Sequence, residues 1–200
     1  MLISKEAFAL IGIAISTIGL LPYIYYIFKG TVKPHAFTWF IWFTVSAIAA
    51  AAQYAAGGGP GSWVGAVGAA ISLIIFILAI FKGETNAARS DWLSLTAAML
   101  AIPIWIITDN PLYSIILVTA IDALGYWPTI RKSYHQPHSE LVFTYLMGVV
   151  KNGLSGLAMA EFSLTTLVYP VVIVIVDIVL IFVLITRRRA IPKPSSNQSA

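Results

Sequence analysis

The chain has 200 residues, 59% of them hydrophobic and only 10% charged, with a formal net charge of +4 and no cysteine. Soluble domains carry about a quarter of charged residues, so this composition describes a polytopic membrane protein, and without cysteine it excludes disulfides, thiolate metal sites and thiol catalysis. The positive charge does not indicate a nucleic-acid partner, because the basic residues are scattered over short loops and one tail, RRRAIPKP.

A helix needs about 20 mostly apolar residues to cross a bilayer, and on that ruler the chain divides into seven: 6–28, 36–56, 62–82, 91–108, 111–130, 140–160 and 163–186. The first apolar run, Ala7 to Phe28, is too long for a signal-peptide core and has no small-residue cleavage site after it, so it reads as a retained helix. The breaks carry turn chemistry: KGTVKPH, GGGPGS, KGETNAARS, TDNP, RKSYHQPHS and EFS. From Ala190 the tail is polar and is expected to be disordered. Ten of the twelve basic residues, Lys29, Lys33, Lys82, Arg89, Arg131, Lys132, Arg187, Arg188, Arg189 and Lys193, fall in the first, third and fifth loops and the tail. Cytoplasmic loops carry the excess of Lys and Arg, which puts the N-terminus outside and the C-terminus in the cytoplasm. Lys5 and the intramembrane Lys151 are the two exceptions.

The first three helices match the last three. Ser16-x-x-Gly19-x-x-Pro22 corresponds to Asp122-x-x-Gly125-x-x-Pro128, Pro34-His35 to Pro137-His138, and Ser72 and Lys82 to Asp177 and Arg187, at offsets of 106, 103 and 105. One helix between the copies leaves them parallel. The expected organisation is a first three-helix repeat over 1–89, a linker helix over 90–110 containing Pro103, a second three-helix repeat over 111–189, and a tail over 190–200. Parallel repeats are one of the two plans of secondary transporters, with the site at the repeat interface near the midplane.

In this three-one-three order, in the proline near the inner end of each repeat's first helix (LLPYIYYIFKG and YWPTIRKSY) and in the basic loop after it, the chain resembles the PQ-loop and SWEET transporters over nearly its whole length to Arg189. The glutamine that follows the proline in the named motif is Tyr23 in one copy and Thr129 in the other. The resemblance implies gating hinges at Pro22 and Pro128, and pocket-facing polar residues at Ser72, Asp177 and Asn152. The plainer role for each proline is to begin the end of its helix. Trp39 and Trp42 have the W-x-x-W spacing of PnuC-type vitamin transporters, which share this fold. Trp39, Trp42, Trp92, Trp105 and Trp127 all lie near helix ends, as an aromatic belt requires.

Three ionisable residues lie deep in the predicted spans: Asp122, Lys151 and Asp177. At 1.5 Å per residue they sit about 12, 16 and 14 Å from the inner ends of their helices, in one layer. One or both aspartates are expected to pair with Lys151. Two carboxylates and one ammonium leave a formal charge of −1, so one aspartate is suited to hold a proton reversibly, as intramembrane acids on ion pathways do. A structural ion pair is the bland alternative, and it leaves one aspartate without a partner. The N-terminal copy has Ser16, Ile48, Ala49 and Ser72 where the C-terminal one has Asp122, Lys151, Asn152 and Asp177. Gly148, Gly153, Ser155 and Gly156 form a small-residue face suited to close helix packing. His35 and His138 sit at matched places at the starts of the second helices with His135 nearby, but too few carboxylates stand beside them for a metal site.

These readings describe a transporter of a small neutral or zwitterionic metabolite, a sugar or an amino acid, working by alternating access, either by facilitated diffusion or linked to protons. The candidate substrate- or proton-binding residues are Ser16, Ser72, Asp122, Lys151, Asn152 and Asp177, with Pro22 and Pro128 as hinges. No enzyme motif, metal or cofactor is expected; the partners are a solute and the bilayer, with oligomerisation left open. Short loops and a retained first helix favour a bacterial inner membrane. The alternatives are a non-transporting receptor or scaffold on the same fold, a PnuC-like transporter and, because of the intramembrane lysine, a retinal protein. Retinal proteins, however, carry their Schiff-base lysine on the seventh helix, and here it is on the sixth.

Overall fold

The computed structural model describes residues 4–30, 34–83, 85, 89–135, 137–138, 140 and 142–191. Within them the chain forms eight helices: α1 (Lys5–Phe28), α2 (Ala36–Ala55), α3 (Pro60–Lys82), α4 (Arg89–Thr108), α5 (Pro111–Gly125), α6 (Trp127–His135), α7 (Val142–Leu157) and α8 (Leu164–Ala190). Four of them, α1, α2, α3 and α8, are long and apolar enough to cross a membrane, and Leu95–Thr108 and Pro111–Gly125 are shorter apolar helices. The chain is an all-α integral membrane protein. The tail assigned to disorder lies, from residue 192 on, outside the described residues; α8 itself continues to Ala190.

The loop residues explain the helix ends. Ser4 caps α1 by accepting from the Ala7 N–H at 3.2 Å, and Gly30 turns the chain at φ +72°. Gly57 and Gly59 take positive φ and Pro60 opens α3, a position where its missing N–H is not needed. Asn110 accepts from Leu112 N–H at 2.9 Å ahead of Pro111, and Ser163 forms a capping box with Thr166.

The predicted fifth helix, 111–130, is two helices. It breaks after Gly125, where Tyr126 caps α5 and Pro128 falls in the first turn of the short α6. A proline there disrupts no helical hydrogen bond, so the break comes before it. Pro22, by contrast, lies inside an unbroken α1.

The third helix of each half lies beside both of its companions. α3 packs on α1 and α2, and α8 packs on α5 and α7. Between the halves α1 meets α7 and α2 meets α5, while α4 rests on α2 and α5. Small residues allow the closest of these approaches. A methyl on Gly65 would touch the Ala50 Cβ at 3.3 Å, bringing α2 and α3 together without large side chains between them.

The two ends of the bundle are held differently. At the end bearing Lys82 and Arg187 the side-chain contacts of these two cations stay, among the described residues, within each half. Lys82 donates to the Phe28 carbonyl at 3.4 Å and lies over its ring; Arg187 donates to the Tyr134 carbonyl at 2.9 Å and lies over that ring. Phe28 and Tyr134 are 106 positions apart and Lys82 and Arg187 are 105 apart. Likewise Gly83 abuts the Pro34 carbonyl, and Arg188 donates to the Pro137 carbonyl at 2.9 Å.

At the opposite end the contacts run between the halves. Ala160 N–H donates to the Gly58 carbonyl at 2.9 Å, and Glu161 N–H to the Gly57 carbonyl at 3.1 Å. Lys5 donates to the Ala160 carbonyl at 2.7 Å and lies over Phe162, the buried Gln53 donates to the Thr166 carbonyl at 3.1 Å, and Ser155 to the Gly61 carbonyl at 2.9 Å. The glycine loop is thereby zipped to the α7–α8 loop.

Trp39 departs from the aromatic belt. It is buried among Ile27, Ile71 and Ile75, with Tyr23 at 5.2 Å and Trp42 at 5.0 Å between ring centroids. Its position near a helix end suggested an interface, but at this end α1 and α3 cover it. Trp42 is half exposed, and Trp92 is exposed with an edge contact to Phe37.

Candidate functional site

The three deep charges come from three helices, Asp122 on α5, Lys151 on α7 and Asp177 on α8, and each aspartate is within electrostatic range of Lys151. No contact ion pair within 4 Å joins them among the described residues. The nearest partners of the acids are tyrosines. Tyr169 on α8 donates to Asp122 Oδ2 at 2.8 Å, and Tyr126, at the end of α5, is placed to donate to Asp177. The acid of each helix is thus served by the phenol of the other. Ser46 on α2 lies near the Tyr169 hydroxyl, so polar groups of α2, α8 and α5 follow one another across the two halves.

Asp177 is the most enclosed member, only 2% exposed. Its Oδ2 has no hydrogen-bond partner among the described residues and is shut off from water. α7 closes over it at Gly148, where a methyl would overlap Oδ2 and come within 3.0 Å of Cγ. Gly148 therefore makes room for the carboxylate, a more specific role than general helix packing. Gly148→Ala should lower stability by about 1–3 kcal/mol, the usual cost of overpacking a well-filled interior. The check is the melting temperature in detergent, with Gly153→Ala as control, since a methyl there meets nothing within 4 Å. Equal melting temperatures for the two variants would contradict the assignment.

The other predicted residues take peripheral places. Asn152 is buried and donates to the Gly148 carbonyl of its own helix at 3.0 Å. It also borders a shallow apolar groove between α7 and α8, lined by Gly153, Gly156, Pro170, Val171 and Ile175. That groove does not take in Asp122, Lys151 or Asp177. Ser16 and Ser72 are buried on α1 and α3, and no hydrogen bond ties them to the charged residues among those described. Ser16 lies one turn beyond Gly12, which sets α1 against α7 at the Lys151 carbonyl and the Leu154 Cβ. Ile48 and Ala49 pack with Ile115 and Val118 of α5 and with α4, an apolar counterpart to the α1–α7 contact. Pro128 opens α6, two residues after Tyr126.

Histidines stand apart from this layer. His35 caps α2 by accepting from Thr38 N–H at 3.4 Å, and His138 lies 2.9 Å from the Ile191 carbonyl. No group of three or more His, Cys, Asp or Glu suited to a metal occurs among the described residues.

Sequence reasoning overlooked Tyr126 and Tyr169. Tyrosine in a membrane chain ordinarily reads as an interface residue. The available signal was Tyr126 four residues after Asp122, on the same face of one helix. Set against known proteins, the chain matches no family model, no curated protein and no solved structure.

Proposed function

We propose that the protein is a transporter of a small neutral or zwitterionic metabolite, of the sugar or amino-acid class, in which two parallel three-helix units rock about the layer of Asp122, Lys151 and Asp177. The observation that carries this reading is the contrast between the two ends of the bundle. One end is latched between the halves by the glycine loop, Lys5 and Gln53, while at the other the cationic contacts hold each half to itself. A body latched across one end, with its other end held half by half, suits one state of an alternating-access cycle.

Two features support duplicated units. The matched cations Lys82 and Arg187 engage the matched rings Phe28 and Tyr134, and α1 meets α7 as α2 meets α5. Seven crossings with the N-terminus outside follow if α5 and α6 together make one broken span, which puts the latched glycine loop outside and the basic end in the cytoplasm. Tyr126 and Pro128 at the break fit a hinge. The charged layer, with acids on two helices and an ammonium on a third, suits a zwitterion better than a simple sugar. A PnuC-like ring site at Trp39 and Trp42 has less support, because those rings engage each other and Tyr23.

The test is uptake into proteoliposomes from a mixed pool of sugars, amino acids and vitamins, with and without an inward proton gradient. Uptake above that of empty liposomes is expected. Folded protein whose melting temperature rises with a solute that it never moves would overturn transport in favour of a receptor.

A further inference from the structure

The charged layer is short of one positive charge, and the structure indicates where it belongs. Lys151 offsets one carboxylate. Asp122 Oδ2 accepts a hydrogen bond from Tyr169, a donor that an anionic oxygen can use. Asp177, near the Tyr126 phenol, differs at Oδ2, which is sealed from water, lacks a hydrogen bond among the described residues and lies against Gly148. An ionised oxygen in such a place is far costlier than a neutral one.

Size then selects the cation. A methyl group does not fit between Gly148 and Oδ2, so an ammonium group does not either. A metal ion would need several further ligands around it, and no group of three or more His, Cys, Asp or Glu occurs among the described residues. A proton needs only the one oxygen.

We infer that Asp177 Oδ2 is the proton-carrying site of this protein, protonated in the conformation latched at the glycine loop, with Asp122 remaining the anion opposite Lys151. The inference deepens the transport reading and depends on it only for the use to which the proton is put. The O–H bond forms on Oδ2 with a proton taken from water when the halves part, and breaks to return it to water on the side then open. The groups facing Asp177 are Asp122 and Tyr126 from α5 and its cap, and Lys151 and Tyr145 from α7. Of the other helices packed on α8, α6 brings Tyr134 and His135 near its far end, and α2 has Tyr54 near its own C-terminus. Among the described side chains none supplies a second cation beside the carboxylate. Loading Asp177 therefore leaves Asp122 and Lys151 as a balanced pair.

Infrared spectroscopy of the full chain in lipid tests the assignment without substrate or flux. At neutral pH the wild type should show the carbonyl stretch of a protonated carboxylic acid, Asp177→Asn should lose it, and Asp122→Asn should keep it. A band that survives Asp177→Asn, or that disappears only with Asp122→Asn, overturns the assignment. Should Asp177→Asn fail to fold, Asp177→Glu serves in its place: the band must then shift in frequency, and an unshifted band counts against Asp177. Because no transport is measured, the proton site can fail while the transport reading stands, and the reverse.

Discussion

Replacing Lys151 by Met should destabilise the protein by about 3 kcal/mol, the lower end of the cost of removing one partner from a buried set of charges. The lower end applies because no carboxylate touches the ammonium; its effect is exerted across the layer on both Asp122 and Asp177. Methionine preserves the length and apolar character of the stem, so lost packing contributes little. What remains is the Asp122 anion with no cation opposite it, in an interior where charge is poorly screened.

A double-mutant cycle separates this from a local packing defect. In an Asp122→Asn background, Lys151→Met should cost far less, since the anion that Lys151 balances has already been removed. Melting temperatures of the four proteins in one detergent provide the check. Equal losses in both backgrounds would mean that Lys151 stabilises through its stem and not its charge, and the layer would no longer be an electrostatic unit.

Much of this architecture is legible in the sequence because bilayer physics is simple. Apolar runs near 20 residues and loops such as GGGPGS and TDNP mark most helix boundaries to within a few residues. The break inside 111–130 is not marked that way, because Tyr126 and Trp127 read as the aromatic end of a single span and Pro128 as its terminator. Only the positioning of Pro128 at the start of a new helix distinguishes a broken span from a hinged one. The deep charges are visible because charge is conspicuous in an apolar chain. Their partners are not, since a phenol is equally at home at an interface and beside a buried acid.

Gly148 illustrates the other limit. Its spacing with Ser155 and Gly156 identifies a small face on α7, but only the packing of α7 on α8 shows that the space is filled by the carboxylate of Asp177. The latch is of the same kind. Gly57 and Glu161 are 104 positions apart, and nothing in either loop signals the other. The burial of Trp39 likewise depends on which helices surround it.

The latch provides the most direct test of the central claim. A Cβ built on Gly57 lies 3.4 Å from the Glu161 Cβ, against about 3.5–4.5 Å in a disulfide, so a shift of a few tenths of an ångström lets Gly57→Cys and Glu161→Cys bridge. The chain has no cysteine of its own, which makes that bridge unambiguous. Gly57 has φ +80°, and a side chain there costs about 1–2 kcal/mol, a strain that the single variant Gly57→Cys controls for. The decisive measurement is solute uptake into proteoliposomes by the double variant, first oxidised and then treated with reductant. Rocking about the midplane predicts uptake at the level of empty liposomes while the disulfide holds and recovery once it is reduced; uptake that proceeds unchanged through a fully formed disulfide would contradict it.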